Sequence, residues 1–171
     1  IRQLKQRRWS LRLKKQRSSF TLGLEKLNNL YREVILDHAQ HPHHKGPLAQ
    51  ATQQISLNNP TCGDVINLQI QLDAADRIQA IGFTGDGCTI SQASASMMTT
   101  AVTGKTKEEA LELAKTFSDL AIGKKHAAAD IAALGDAQVL TNIMEFPARI
   151  KCATLAWWAL QRALLQESDE D

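Results

Sequence analysis

Three cysteines, Cys62, Cys88 and Cys152, are the residues of this 171-residue chain best suited to chemistry. An odd number of thiols argues against a disulfide framework. Each is therefore either a small buried apolar side chain or a working thiolate, and the settings favour the second. Cys62 lies in Asn59-Pro60-Thr61-Cys62-Gly63-Asp64, a turn between Pro and Gly. If that segment is extended, Asp64 points its carboxylate the same way as the Cys62 sulfur, and oxygen beside sulfur suits Zn²⁺. The other reading of Asp64 is a turn residue bonded to its own backbone. Cys88 follows Gly85-Asp86-Gly87 and opens a helical stretch, where a helix N-terminus favours the thiolate. Cys152 lies near the start of the last helix, after Pro147, with Arg149 three residues earlier on the same face. Three thiolates and a carboxylate make a ligand set for a tetrahedral ion, or most of a cradle for an iron–sulfur cluster. The cysteines are too far apart for a zinc-ribbon pattern, so spacing alone says little.

The histidines form a competing cluster. His38, His41, His43 and His44 gather around the end of the first helical stretch. His-rich tracts can bind metal, but adjacent ring positions in a Pro-containing loop point apart. The expectation here is a solvated helix end, where cationic side chains are favoured. His126 stands alone after Lys124-Lys125 and reads as surface.

The elements that must position the cysteines follow from hydrophobic period. Residues 24–40 carry Leu24, Leu27, Leu30, Tyr31, Val34 and Ile35 at helical spacing, and the helix stops at Pro42, Gly46 and Pro47. Residues 54–57, 65–72 and 77–84 read as strands, the middle one strictly alternating and joined to the third by the turn Asp73-Ala74-Ala75-Asp76. Helices are expected over 92–102, from Thr106 as cap, over 124–136, over 136–144 and over 148–166, with an acidic tail to Asp171. Strands first and helices after predict an α+β fold, a small antiparallel sheet with helices on one face.

Composition narrows the function. Lys and Arg number 20 against 18 Asp and Glu, but eight of the basic residues and none of the acids fall in residues 1–20. The remainder holds 12 basic and 18 acidic residues, or −6, which argues against nucleic acid as its partner. Aromatic residues are 5% of the chain, too few for a base-stacking platform. No apolar run approaches the roughly 20 residues of a membrane span, so the expected setting is the cytoplasm, without a membrane partner. Residues 1–20 read as an incidental, disordered basic extension, a targeting peptide or a binding arm, and 21–171 as one domain.

At the cysteines the chain resembles a known family. Asn59-Pro60-Thr61-Cys62-Gly63-Asp64, the run from Gly85 to Ser94 around Gly87-Cys88-Thr89, and Arg149-Ile150-Lys151-Cys152-Ala153-Thr154 look like the three cysteine motifs of the IscU/NifU-N family of iron–sulfur cluster assembly proteins, closest to its SufU-type branch. The resemblance covers about residues 24–166. It implies a three-stranded antiparallel sheet, helices on one face, and the three cysteines clustered at one exposed end. Scaffold members carry His before the third cysteine, where this chain has Lys151. That departure and a longer stretch between the second and third cysteines favour the SufU-type role. The resemblance then implies zinc held by Cys62, Asp64, Cys88 and Cys152, Cys62 as acceptor of persulfide sulfur, and Arg149 near the site. It implies a SufS-type cysteine desulfurase as partner, with downstream assembly or acceptor proteins. The alternative is a scaffold carrying iron or a transient [2Fe–2S] cluster on the three cysteines.

Overall fold

The computed structural model describes residues 23–166. The chain divides between Val34 and Ile35. Of the first unit only the start of helix α1 (Gly23–Gln40) is described; the remaining elements belong to the second. In order these are β1 (Gln53–Asn59), β2 (Asp64–Leu72), β3 (Ile78–Thr84), α2 (Thr89–Val102), α3 (Lys107–Ala121), the short α4 (Ala128–Ala132), a 3-10 segment (Gly135–Glu145) and α5 (Pro147–Leu165). The reading of residues 1–20 and the tail beyond Gln166 lie outside the described residues. Among the described residues no helix is long and apolar enough to cross a membrane.

The strands form one antiparallel sheet in the order β1-β2-β3. Alternation in β2 buries Asp64, Ile66, Leu68 and Ile70 and leaves Val65, Asn67 and Gln69 partly exposed. A slip of one residue would carry that apolar row to the other face, and each of its members is worth about 1.5–3 kcal/mol when buried. Helix α5 packs on β1 and β2, and α2 and α3 pack on α5. The core between them holds Phe83, Met97, Met98, Phe117, Leu140 and Leu160. Trp157 stacks on Phe117 with ring centroids 4.5 Å apart, and its indole N–H donates to Ser94 Oγ at 3.1 Å. The result is an α+β fold with helices on one face of a three-stranded antiparallel sheet, as the pattern predicts.

Several local expectations need correction. The predicted helix over 124–136 shrinks to Ala128–Ala132. Its end is set by Gly135, whose φ of 59° no continuing helix tolerates. The predicted helix over 136–144 is a 3-10 segment instead. His126 is half-buried rather than surface, with Nε2 2.9 Å from Asp119 Oδ2. His38 is not part of a solvated helix end: it is buried, with Nδ1 2.8 Å from Ser96 Oγ and Nε2 2.8 Å from Asp136 Oδ2. Helical period places His38 on α1's inward face, and packing supplies partners that lie far away in sequence.

Asp136 is the exposed partner of that pair. The hydrogen bond from His38 holds its carboxyl below the ordinary value of 3.8, against the opposing effect of partial burial. A lowered carboxyl adds stability above its unfolded value, and the contribution is lost as pH falls through the folded one. Acid unfolding below about pH 4 should therefore be less steep in Asp136→Asn than in the parent. Equal steepness, followed by circular dichroism, would show that the pair adds nothing.

Candidate metal centre

The hairpin between β1 and β2 sets the position of Cys62. Asn59 pairs with Asp64 across the end of the ladder. The Asn59 carbonyl accepts from Cys62 N–H at 3.3 Å and from Gly63 N–H at 2.8 Å. The segment is thus a tight turn, as its Pro and Gly indicate, and not extended as a shared direction of Asp64 and Cys62 would have required; it leaves Cys62 exposed at its tip. Asp64 is the last member of the buried face of β2, so the pleat that buries Ile66, Leu68 and Ile70 also buries a carboxylate.

The loop after β3 closes over that carboxylate. Asp86 carbonyl accepts from Val65 N–H at 2.7 Å. Gly85 sits at φ 116°, where a Cβ would fall on the Val65 carbonyl. A Cβ on Gly87 would stand 2.8 Å from Asp64 Oδ1. The loop therefore delivers the Cys88 N–H to Asp64 Oδ1 at 2.9 Å. Cys88 is the N-cap of α2, and its sulfur accepts from Ser91 N–H at 3.5 Å. Gly87→Ala should push the carboxylate aside at a cost of about 1–3 kcal/mol, as overpacking does elsewhere. A urea midpoint equal to the parent's would mean the loop yields freely.

Cys152 comes from the second turn of α5 and is buried. Its sulfur lies 3.3 Å from Cys62 Sγ and 4.0 Å from Asn59 Nδ2. Ligand atoms of Cys62, Asp64 and Cys152 all fall within 4.8 Å of one another. Cys88 is not in that set of three, because its sulfur is engaged in capping α2, though it acts on both Cys152 and Arg149. Burial pushes the Cys152 thiol up, and the neighbouring Cys62, Asp64 and Cys88 side chains add to this. Arg149, three residues earlier on the same helix, does not offset the burial of that thiol. Arg149 is exposed, and Cys152 first, then Cys88, push the pKa of its guanidinium above the ordinary value. Lys151 is exposed on the same helix.

Whether these residues fit a metal turns on Asp64. Its side chain has no solvent exposure, and Oδ2 has no hydrogen-bond partner among the described residues. A buried carboxylate so placed costs several kcal/mol, on the order of 3–5, unless something positive meets it. A cation between Oδ2 and the sulfurs would do so, and a hard oxygen with soft sulfurs matches zinc. The donor set therefore fits. Asn59, which organises the turn and faces Cys152, was missed in the sequence; its place in the same hexapeptide was the one signal available.

Residues 30–165 match the NifU-like N terminal domain. The chain is 50% identical over 148 residues to the iron–sulfur cluster assembly scaffold protein IscU of Streptococcus pyogenes, covering 86% of this chain and 91% of that one. It is 48% identical over 141 residues to the zinc-dependent sulfurtransferase SufU of Bacillus subtilis, covering 82% and 93%. Among solved structures, an iron–sulfur cluster assembly scaffold protein for the SUF system from Fervidobacterium islandicum superimposes with a TM-score of 0.68 at 34% identity, over 77% of this chain and 94% of that one.

Proposed function

The chain belongs to the NifU-like N terminal domain family, as a homologue of the assembly proteins IscU and SufU, and on that footing we propose that it takes persulfide sulfur from a cysteine desulfurase for iron–sulfur cluster assembly. Cys62, Asp64, Cys88 and Cys152 would hold zinc. When bound, zinc keeps its thiols ionised near neutral pH and joins three segments of the chain. The observation that carries the reading is the buried Asp64 carboxylate, with an unpartnered oxygen among the sulfurs.

Cys62 is the acceptor because it is the exposed sulfur, on a turn rather than a helix. In the transfer, the Cys62 thiolate attacks the outer sulfur of the donor's persulfide. A new S–S bond forms at Cys62, the donor's own S–S bond breaks, and the donor cysteine leaves as thiolate, so no external oxidant or reductant is needed. Arg149, exposed and three residues before Cys152 on the same helix, places a positive charge beside the incoming anionic sulfur.

A second reading, a scaffold passing on a transient [2Fe–2S] cluster, is supported by the name of the Streptococcus relative. Exposed Lys151 beside Cys152 favours the first reading, because an ammonium is a poor ligand where scaffold members have an imidazole. Elemental analysis and an absorption spectrum, on protein purified without added metal, separate the two. About one zinc per chain without visible absorbance is expected for a closed tetrahedral site. Iron, acid-labile sulfide and visible absorbance would replace the first reading by the second.

A further inference from the structure

A groove runs from the cysteine site along α5. Lys151, Leu155, Trp158 and Arg162 succeed one another at steps of four, three and four, so they form one stripe on the helix. Leu57 and Pro60, at the end of edge strand β1 and the turn after it, form the opposite wall. The cavity between them measures about 200 Å³. Leu57, Pro60, Leu155 and Trp158 give it an apolar part beside the polar Asn58 and Asn59, Trp158 is 39% exposed in it, and Lys151 and Arg162 mark its two ends. Among the described residues no carboxylate lines it, although the sequence beyond residue 20 carries a net −6.

This is an unusual place for an exposed indole and two cations. Trp and Arg are the side chains that carry most binding energy at interfaces, where a desolvated pocket sits within a polar rim. The local charge, opposite to that of the domain, selects an acidic partner and steers its approach. The groove also adjoins the chemistry: Pro60 is two residues from Cys62, and Lys151 is next to Cys152.

We propose that this groove docks an acidic segment of the sulfur-donating protein, with one apolar side chain of that segment seated between Leu57, Leu155 and Trp158. The proposal rests on the sulfur-acceptor reading and names where its partner is held. Carboxylates of the segment meet Lys151 and Arg162, and the donor's persulfide is thereby kept over the exposed Cys62.

The test uses the whole chain and a purified SufS-type cysteine desulfurase, with binding measured by calorimetry and transfer by steady-state kinetics in which this chain is the varied substrate. Trp158→Ala and Arg162→Glu should each weaken binding about 10-fold or more. They should raise KM by a similar factor and leave kcat and metal content unchanged. Arg162→Glu should also flatten the salt dependence of binding. Circular dichroism identifies a variant that fails to fold, in which case the other decides. Parental affinity in a folded Arg162→Glu or Trp158→Ala chain overturns the docking site while leaving sulfur acceptance at Cys62 intact. If the parent chain neither binds the desulfurase nor accepts sulfur, the acceptor reading fails and the docking site falls with it.

Discussion

Asp64→Asn is expected to strip the site of metal while leaving the loop around it in place. The new amide oxygen can still accept the Cys88 N–H that Asp64 Oδ1 accepts at 2.9 Å. What changes is Oδ2, the oxygen that has no partner among the described residues, on a carboxylate that lies with Cys62 and Cys152. An NH₂ in its place donates rather than accepts and cannot ligate. Removing even an outer partner of a ligand costs about 10–100-fold in metal affinity, so losing a ligand should cost on the order of 100-fold or more. Asp64→Ala adds the loss of a charge-assisted hydrogen bond, about 1.5–3 kcal/mol, and should destabilise the chain even with metal removed. Chelator competition reads the first effect and urea unfolding the second. An Asp64→Asn chain that retains zinc as the parent does would make the carboxylate a loop anchor and nothing more.

Cys62→Ser should abolish sulfur acceptance with little cost in stability. Removing a covalent nucleophile is felt on the order of 10³-fold or more, because the hydroxyl is not ionised near neutral pH and does not attack sulfur. The side chain sits exposed at the tip of a turn, so the core is untouched and the thermal midpoint of the metal-free protein should hold. Cys152→Ser is the contrast. It places a hydroxyl at a buried position packed by α5, so stability should fall. Mass spectrometry after incubation with a cysteine desulfurase and L-cysteine gives the outcome directly. A gain of one sulfur atom on the Cys62→Ser chain would move the acceptor to Cys88 or Cys152.

Local pattern made much of this fold legible. The alternation of residues 65–72 requires one buried face, and β2 shows it. Thr106 with Glu108 and Glu109 marks the start of α3, where the Thr106 hydroxyl caps Glu109 N–H. Each of these rests on neighbours a few residues apart, which sequence displays. Where the pattern misled, a distant partner had intervened. The histidine cluster looked like one solvated end, yet Ser96 and Asp136 draw His38 inside while His41 and His43 remain exposed. The stretch after α3 carries enough alanine for a longer helix than it forms, and Gly135 with the packing of Leu134, Ala137 and Leu140 turns it into 3-10 geometry.

The site divides along the same line. Residue types alone pointed to Cys62, Cys88 and Cys152 as candidate ligands, because thiols between Pro and Gly or at helix starts are poorly placed for a core, and left Asp64 open between ligand and turn residue. Only the tertiary structure decided how they meet. It put the Cys152 sulfur 3.3 Å from Cys62 by laying α5 across the end of the hairpin. It turned Cys88 to cap α2 and buried one carboxylate oxygen without a partner. Sequence encodes periodicity and turn chemistry residue by residue. The separation of ligand atoms depends on how helices pack on a sheet, and that is settled by contacts between segments dozens of residues apart.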